Sequence, residues 1–373
     1  MRPLVTPTMA AVMTVLASCA TTSLERVTTT ELEKHLQHAG PGVAFAAAWR
    51  DGTTIVRSAG FADLRTQRAM TDETPFAWFS VTKLFTATAV MQLHERGRID
   101  LDAPVSQYLP HVRLRRGGRE ATVRELLAHT AGLPNPIPVT WIHLADEPGP
   151  DLDAMVLARV GADPELDAIP GTKSAYSNLG YLLLGQIVER ASGESFERYI
   201  QANVLAPLGC DASGFTVSNA FATPYQSRWS FMGLAARWML DDRFFGPTVG
   251  GYWELRPFEV DGAPYGGLGG PVRDLVRLGQ MVLAKGEGAR GRVLSAKSVR
   301  AMMEPALVDG EATSIGLGWH LGEVGGERYV YHLGGGGGYR SELRVYPRLG
   351  YAVAVVGNET SFPTDDFTRL VVR

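Results

Sequence analysis

The amino-acid sequence predicts an α+β fold, in which one antiparallel sheet flanked by helices is assembled from both ends of the chain around an all-helical insertion. Three observations carry this. Residues 43–50 and 53–59 are strand-like and flank Asp51-Gly52, a strong signal for a tight hairpin. Strand-like runs return near the other end, at residues 316–322, 328–332, 339–346 and 351–356. Between the two groups, from about residue 100 to 264, the pattern is one of loops and helices. With 373 residues, 45% hydrophobic and 20% charged, the chain is long and apolar enough to bury a sizeable core.

At the N-terminus, one early positive charge at Arg2 precedes a mostly apolar stretch over residues 9–17 and then Leu16-Ala17-Ser18-Cys19. The apolar part is far shorter than the ~20 residues of a membrane-spanning helix, so residues 1–18 read as a secretory signal peptide. Leu-Ala-Ser-Cys resembles the bacterial lipobox, which implies cleavage before Cys19 and lipid attached to its sulfur. Ala20, in place of an aspartate, then implies the periplasmic face of the outer membrane. The alternative is an ordinary cleaved signal and a secreted or periplasmic protein. Residues 19–30, rich in threonine, form a tether, and 31–373 form the folded body, opening on a helix at 31–39.

The hairpin follows, and after it a run with helical apolar spacing and no proline from Ser80 to about Arg96. Within the insertion, residues 215–258 hold Trp229, Trp238 and Trp253 together with Phe221, Tyr225, Phe231, Phe244, Phe245 and Tyr252. Such density is more often core packing than a ligand surface. No internal repeat is evident. The net charge of −3 gives no electrostatic reason to expect nucleic acid, and Arg113, Arg115, Arg116 and Arg119 are most simply a solvated loop. Once Cys19 is lipidated only Cys210 remains as a free thiol, so no disulfide framework is available.

Three segments can carry chemistry, although each taken alone also reads as plain structure: a capping serine with a solvated lysine, a polar loop capping a helix at Asn178, and a flexible glycine turn. In Phe76-Ala-Trp-Phe-Ser80-Val-Thr-Lys83, one helical turn brings Lys83 back beside the Ser80 hydroxyl. A serine hydroxyl is a poor nucleophile until a base removes its proton, and a lysine is that base only where its environment holds it neutral. In Ser174-Ala175-Tyr176-Ser177-Asn178, ahead of a helix from about Tyr181, extended backbone would point Tyr176 and Asn178 into one cavity. A phenol there can relay a proton, and a carboxamide can hold a carbonyl or orient the lysine. In Tyr331-His332-Leu333-Gly334-Gly335, glycine after a strand admits a substrate close to the backbone, and the Gly335 amide can point at a developing oxyanion. The site is expected where the sheet meets the insertion.

Ser80-x-x-Lys83, Tyr176-x-Asn178 and His332-x-Gly334, in this order and at these separations, resemble the serine β-lactamase and penicillin-binding-protein superfamily. The branch they resemble most is that of class C β-lactamases, D-peptidases and β-lactamase-like esterases. Leu126-Leu127-Ala128-His129-Thr130, Gly180-Tyr181-Leu182-Leu183-Leu184-Gly185 and Gly266-Gly267-Leu268 fit the same pattern, and the similarity covers residues 32–358.

The resemblance implies a β-lactamase/transpeptidase-like fold and an acyl-enzyme on Ser80, with Lys83 as base, Tyr176 sharing or relaying the proton and Asn178 orienting substrate or Lys83. It also implies an oxyanion hole from the Ser80 and Gly335 amides, and needs neither metal nor organic cofactor. Cys210 stands where the family usually shows methionine, which suits a buried apolar role. His129 reads as a structural histidine, and the aromatic segment as a wall of the active site. No Gly-x-Ser-x-Gly, His-Glu-x-x-His or Gly-x-Gly-x-x-Gly motif competes with this reading, and His35-x-x-His38 is most simply helix surface.

Where β-lactamases of the superfamily commonly carry Lys-Thr-Gly, this chain has His332-Leu333-Gly334. A permanent cation and a hydroxyl for the β-lactam carboxylate are both replaced, so the expected substrates are short-chain or aryl esters. A class C-like β-lactamase or a D-peptidase acting on cell-wall-like substrates is the alternative. So is a lipoprotein that keeps the fold for binding alone, against which the intact Ser80, Lys83 and Tyr176 argue.

Overall fold

The computed structural model describes residues 40–138 and 140–368, together with Lys34. The expected signal peptide, Cys19, the tether and most of the helix at 31–39 lie outside the described residues. Strand β1 (Gly42–Trp49) reads Gly-Val-Ala-Phe-Ala-Ala-Ala-Trp, and all eight residues are buried. A strand without a polar side needs cover on both faces, and the sheet around it provides that.

The main sheet has seven strands. Along the chain they are β1, β2 (Thr54–Asp63), β3 (Arg68–Ala69), β4 (His320–Val324), β5 (Glu327–Gly336), β6 (Tyr339–Tyr346) and β7 (Tyr351–Gly357). Across the sheet the order is β4-β5-β6-β7-β1-β2-β3, antiparallel throughout. The two ends of the chain meet at β1 and β7, with Ala46 opposite Ala354.

The two faces of the sheet differ in side-chain size. Ala44, Ala46, Ala48, Ala352 and Ala354 belong to the large core shared with the helices, whereas Val43, Phe45, Trp49, Val353 and Val355 join a smaller cluster with Phe362 and Phe367. The alanine face lets a helix come close. In the helix Val272–Leu283 a Cβ added at Gly279 would stand 2.6 Å from the Ala352 methyl and 3.3 Å from Leu343.

Helix α1 (Thr82–Glu95) is buried along every residue from Thr82 to Leu93, the polar Lys83 and Gln92 included. It packs against α2 (Asn178–Ser192), which Ser177 caps at its start and Gly193, at φ +82°, closes. Trp78 stacks on Phe85 at 5.5 Å, and both rings are fully buried, an arrangement that holds the start of α1 against the core.

Five expectations shift. Ser80 lies in a 3₁₀ turn, Phe79–Val81, and α1 proper opens at Thr82. Helix α2 opens at Asn178 instead of Tyr181, because the Ser177 hydroxyl accepts the Gly180 amide at 3.4 Å. Strand β5 runs on through Gly336, while β4 starts only at His320 because Gly318 breaks the run with φ +91°. The segment from about 100 to 264 is not helical throughout. Ile142–Leu144 pairs with Phe258–Val260, and Tyr225–Ser227, Tyr252–Leu255 and Phe245–Val249 form a small three-stranded sheet. Tyr252, Trp253 and Phe245 are residue types that favour a pleated, half-buried surface.

Candidate active site

The short strand Pro75–Ala77 pairs with Gly269–Pro271 and delivers the chain to the turn that carries Ser80. Phe79, immediately before the serine, takes a left-handed backbone conformation at φ +46°. A bulky residue there stores of the order of 1–3 kcal/mol, so the surroundings must hold it in place. They do. The Trp78 amide donates to the Leu268 carbonyl, its indole nitrogen donates to the Gly270 carbonyl at 3.0 Å, and its carbonyl accepts from Ser341 Oγ at 2.8 Å. The Phe79 ring packs beside Phe258 and Tyr339. Gly334 faces this turn so closely that a Cβ would collide with the Trp78 carbonyl and the Ser341 hydroxyl.

Lys83 is completely buried, and its Nζ has three oxygen neighbours: Asn178 Oδ1 at 2.8 Å, the Tyr265 carbonyl at 2.8 Å and Ser80 Oγ at 3.2 Å. Burial pushes the ammonium well below the usual lysine range. A neutral amine has two N–H donors and one lone pair. The two carbonyl oxygens can only accept, so they take both donors and leave the lone pair to the Ser80 hydroxyl. The rings of Tyr176, Tyr265 and Tyr181 stand 4.9, 5.3 and 5.5 Å from Nζ. Such a cage stabilises a charge that appears on Nζ when it takes up a proton.

Tyr176 lies in contact with Ser80, and burial holds its phenol above the usual range, opposed by a hydrogen bond with the Ser80 side chain. It therefore keeps its proton near neutral pH. Ser177, between Tyr176 and Asn178, is extended at φ −142°, and both neighbours line the same cavity as the alternation predicts.

Three histidines surround this group. The His129 ring is 4.5 Å from the Tyr176 ring, and those of His320 and His332 are each 6.2 Å away. His129 Nδ1 accepts from the Ser177 amide at 3.1 Å, so in the neutral ring Nε2 carries the hydrogen. His332 is the opposite tautomer, because its Nδ1 donates to the Leu333 carbonyl at 2.7 Å. Burial first, then neighbouring positive groups, lower the basicity of all three. His129 is thus the structural histidine expected, at φ +58°, although no side-chain signal marks that backbone state. Among the described residues no group of three or more His, Cys, Asp or Glu is placed to hold a metal ion. Cys210 is buried with its thiol donating to the Asp274 carbonyl at 3.3 Å, and burial pushes it well above the usual thiol range.

Ser80, Tyr176, Asn178 and Gly335 open onto one cavity of about 740 Å³. Its wall is largely apolar: Phe79, Trp141, Phe258, Val260, Leu240 and Leu333. Leu333 therefore faces substrate space, while His332 is buried behind it. Strand β4 begins at His320, opposite Tyr331, so among the described residues the Leu333–Gly336 edge of β5 has no strand partner on that side. Three contributors are absent from the sequence reading. The Tyr265 carbonyl has no side-chain signature. His320 follows Trp319 in a segment taken only as strand. Arg340, opposite Gly335 in the β5–β6 register, reaches the cavity and has no ion-pair partner among the described residues. The alternation of β6 was the signal available for Arg340.

The aromatic segment divides. Tyr225, Phe244 and Phe258 are buried, but Trp229, Phe231 and Trp238 are exposed, against the expectation of core packing. The fold offers the helix that carries Phe231 and Trp238 something to pack on along one side only.

The Beta-lactamase family model matches residues 12–372. Penicillin-binding protein 4 of Amycolatopsis lactamdurans is 31% identical over 346 residues, covering 90% of this chain and 86% of that protein. Esterase EstB of Burkholderia gladioli is 36% identical over 200 residues, which are 49% of this chain and half of that protein. The octameric penicillin-binding protein homologue from Pyrococcus abyssi superposes with a TM-score of 0.72 at 25% identity, over 92% of this chain and 76% of that one. The chain belongs to the Beta-lactamase family, within the serine β-lactamase and penicillin-binding-protein-like superfamily of serine hydrolases.

Proposed function

We propose that the protein is an esterase that works through an acyl-enzyme on Ser80, with Lys83 as the base that starts the reaction. The observation that carries the mechanism is the fully buried amine, its basicity lowered by burial, with two carbonyl oxygens as neighbours and Ser80 Oγ as the third at 3.2 Å. Ser80 Oγ attacks the ester carbonyl while its proton passes to Nζ, and the carbonyl electrons move to an oxyanion held by the Ser80 and Gly335 amides. The new ammonium sits among three tyrosine rings. Collapse expels the alkoxide, which takes a proton from Tyr176 as Lys83 returns one to the phenol. Water then attacks the acyl-enzyme by the same steps in reverse. Asn178 keeps Nζ aimed at Ser80.

The preference for esters rests on Leu333 and the apolar wall, because His332 is buried and neutral and offers a carboxylate nothing. Arg340 supports a second reading: it is a cation on the same rim with no ion-pair partner among the described residues, placed to meet a carboxylate on a β-lactam or a peptide. One set of assays separates the two. The expected result is efficient hydrolysis of p-nitrophenyl acetate or butyrate, little turnover of a cephalosporin, and neither activity in Ser80→Ala. Leu333→Thr is expected to gain on the cephalosporin. Efficient cephalosporin turnover with negligible esterase activity, lost by about ten- to a hundredfold in Arg340→Ala, would establish the carboxylate reading instead.

Leu16-Ala17-Ser18-Cys19 supports a lipid-anchored place in the bacterial envelope. The intact mass of the native chain checks it, since an unlipidated mass unchanged by Cys19→Ser removes the anchor.

A further inference from the structure

The helix Phe231–Met239, here α3 with the helix Val272–Leu283 becoming α4, is the element whose demand for burial the fold leaves unmet. Its sequence, Phe-Met-Gly-Leu-Ala-Ala-Arg-Trp-Met, carries a single charge, and Asp242 pairs with that Arg237. Phe231, Leu234 and Trp238 recur at the i, i+3, i+7 spacing of one helix face and are 83%, 59% and 87% exposed. Trp229, just ahead of the helix, is 81% exposed. Ala235, Ala236 and Met239 wall the active-site cavity from the other side. An apolar helix of this kind is ordinarily buried. Ile137, also exposed, lines the same cavity, so the uncovered apolar surface is continuous with the cavity mouth.

We propose that this rim is a lipid-surface docking site, at which α3 lies in the interfacial layer of a bilayer and the cavity opens onto the lipid. Esters carrying long apolar chains then pass from the bilayer to Ser80 without crossing water. Several observations select a bilayer as the occupant. Tryptophan is the residue type that settles at a membrane interface, and here two of them flank a phenylalanine and a leucine. Arg228 stacks over the Trp229 and Trp253 rings at 5.6 and 5.8 Å, which places a cation at the base of the stripe, suited to a lipid phosphate. Arg237, the one charged residue of the helix itself, is paired with Asp242. The described body begins at Gly40, and the 21 residues from Cys19 to it reach at most about 70 Å, so an anchored chain stays within reach of its membrane.

The substrate clause rests on the acyl-hydrolase reading; the docking does not. The test uses the full chain as Cys19→Ser, which has no lipid of its own, with vesicles of phosphatidylcholine and phosphatidylglycerol. Cosedimentation and a blue shift of tryptophan emission are expected. The double variant Phe231→Ser/Trp238→Ser should bind the vesicles at least ~10-fold more weakly and lose hydrolysis of p-nitrophenyl palmitate presented in them. Its kcat/KM for p-nitrophenyl butyrate in solution should not change. No vesicle binding by the Cys19→Ser chain, or binding that the double variant retains, overturns the proposal. So does a dimer in sedimentation that the double variant abolishes, which would assign the rim to a second copy. Vesicle binding with no hydrolysis of either ester would leave the docking standing and remove the esterase reading.

Discussion

At the floor of the cavity Lys83 is wholly buried with three oxygen neighbours around its Nζ, whereas at the rim Trp229, Phe231 and Trp238 are apolar and uncovered. Both regions depart from what folding alone favours. Burying an amine disfavours its charged form, and an exposed indole forgoes ~1.5–3 kcal/mol of burial. The two departures serve different ends. In the proposed reading, displacing Lys83 from its ordinary state makes a base, and leaving the rim uncovered makes a surface for something outside the chain. Strain at the floor is locked by contacts such as Trp78 to Gly270 and Ser341, while α3 is held along one side only.

Lys83→Met tests the floor with the largest effect. Loss of the base should lower kcat for p-nitrophenyl butyrate by about 10²–10⁴. The stability difference between variant and native protein should also depend on pH. The folded pKa of Lys83 lies below its unfolded value, so the unfolded chain binds the extra proton and native stability rises as pH rises toward about 10. The Met variant has no such term, so its relative melting temperature should be higher at pH 7 than at pH 10. A difference that does not move with pH would show that Lys83 is charged in the fold. Phe231→Ser, at the rim, should leave both kcat and melting temperature in solution nearly unchanged.

A smaller effect comes from the histidines. His129, His320 and His332 have folded pKa values below their usual 6.5, so again the unfolded state binds more protons and stability falls as pH drops below that value. Each group that stays neutral in the fold contributes up to about 1.4 kcal/mol per pH unit in that window. Urea unfolding at pH 7, 6 and 5 measures it, and His332→Gln should flatten the slope. An unchanged slope in that variant would mean that His332 is already protonated in the folded state.

Much of the site was legible because its key geometry is local. Three residues along a helical turn fix the distance from Ser80 to Lys83, and two residues of extended chain fix Tyr176 against Asn178. The fold class was legible because the six strand-like runs all correspond to strands of the sheet, with Asp51-Gly52 turning the first pair. The strands at 142–144, 225–227, 245–249, 252–255 and 258–260 escape the expectation of loops and helices, since strands of three to five residues leave too few alternations to register.

Sequence by itself therefore determined the residues proposed to do the chemistry and the order in which they occur, because side-chain identity and helical or extended spacing are properties of a few neighbouring positions. Tertiary structure alone decided the state and surroundings of those residues. The basicity of Lys83 is lowered because α1 lies inside the core, and the Tyr265 carbonyl, 182 residues away in the chain, accepts one of its hydrogens. Arg340 reaches the cavity because the register of β5 and β6 sets it opposite Gly335. Trp229, Phe231 and Trp238 are exposed because no other described part of the chain folds over them. Burial, desolvation and exposure depend on what else occupies the surrounding volume, and a single segment does not carry that information.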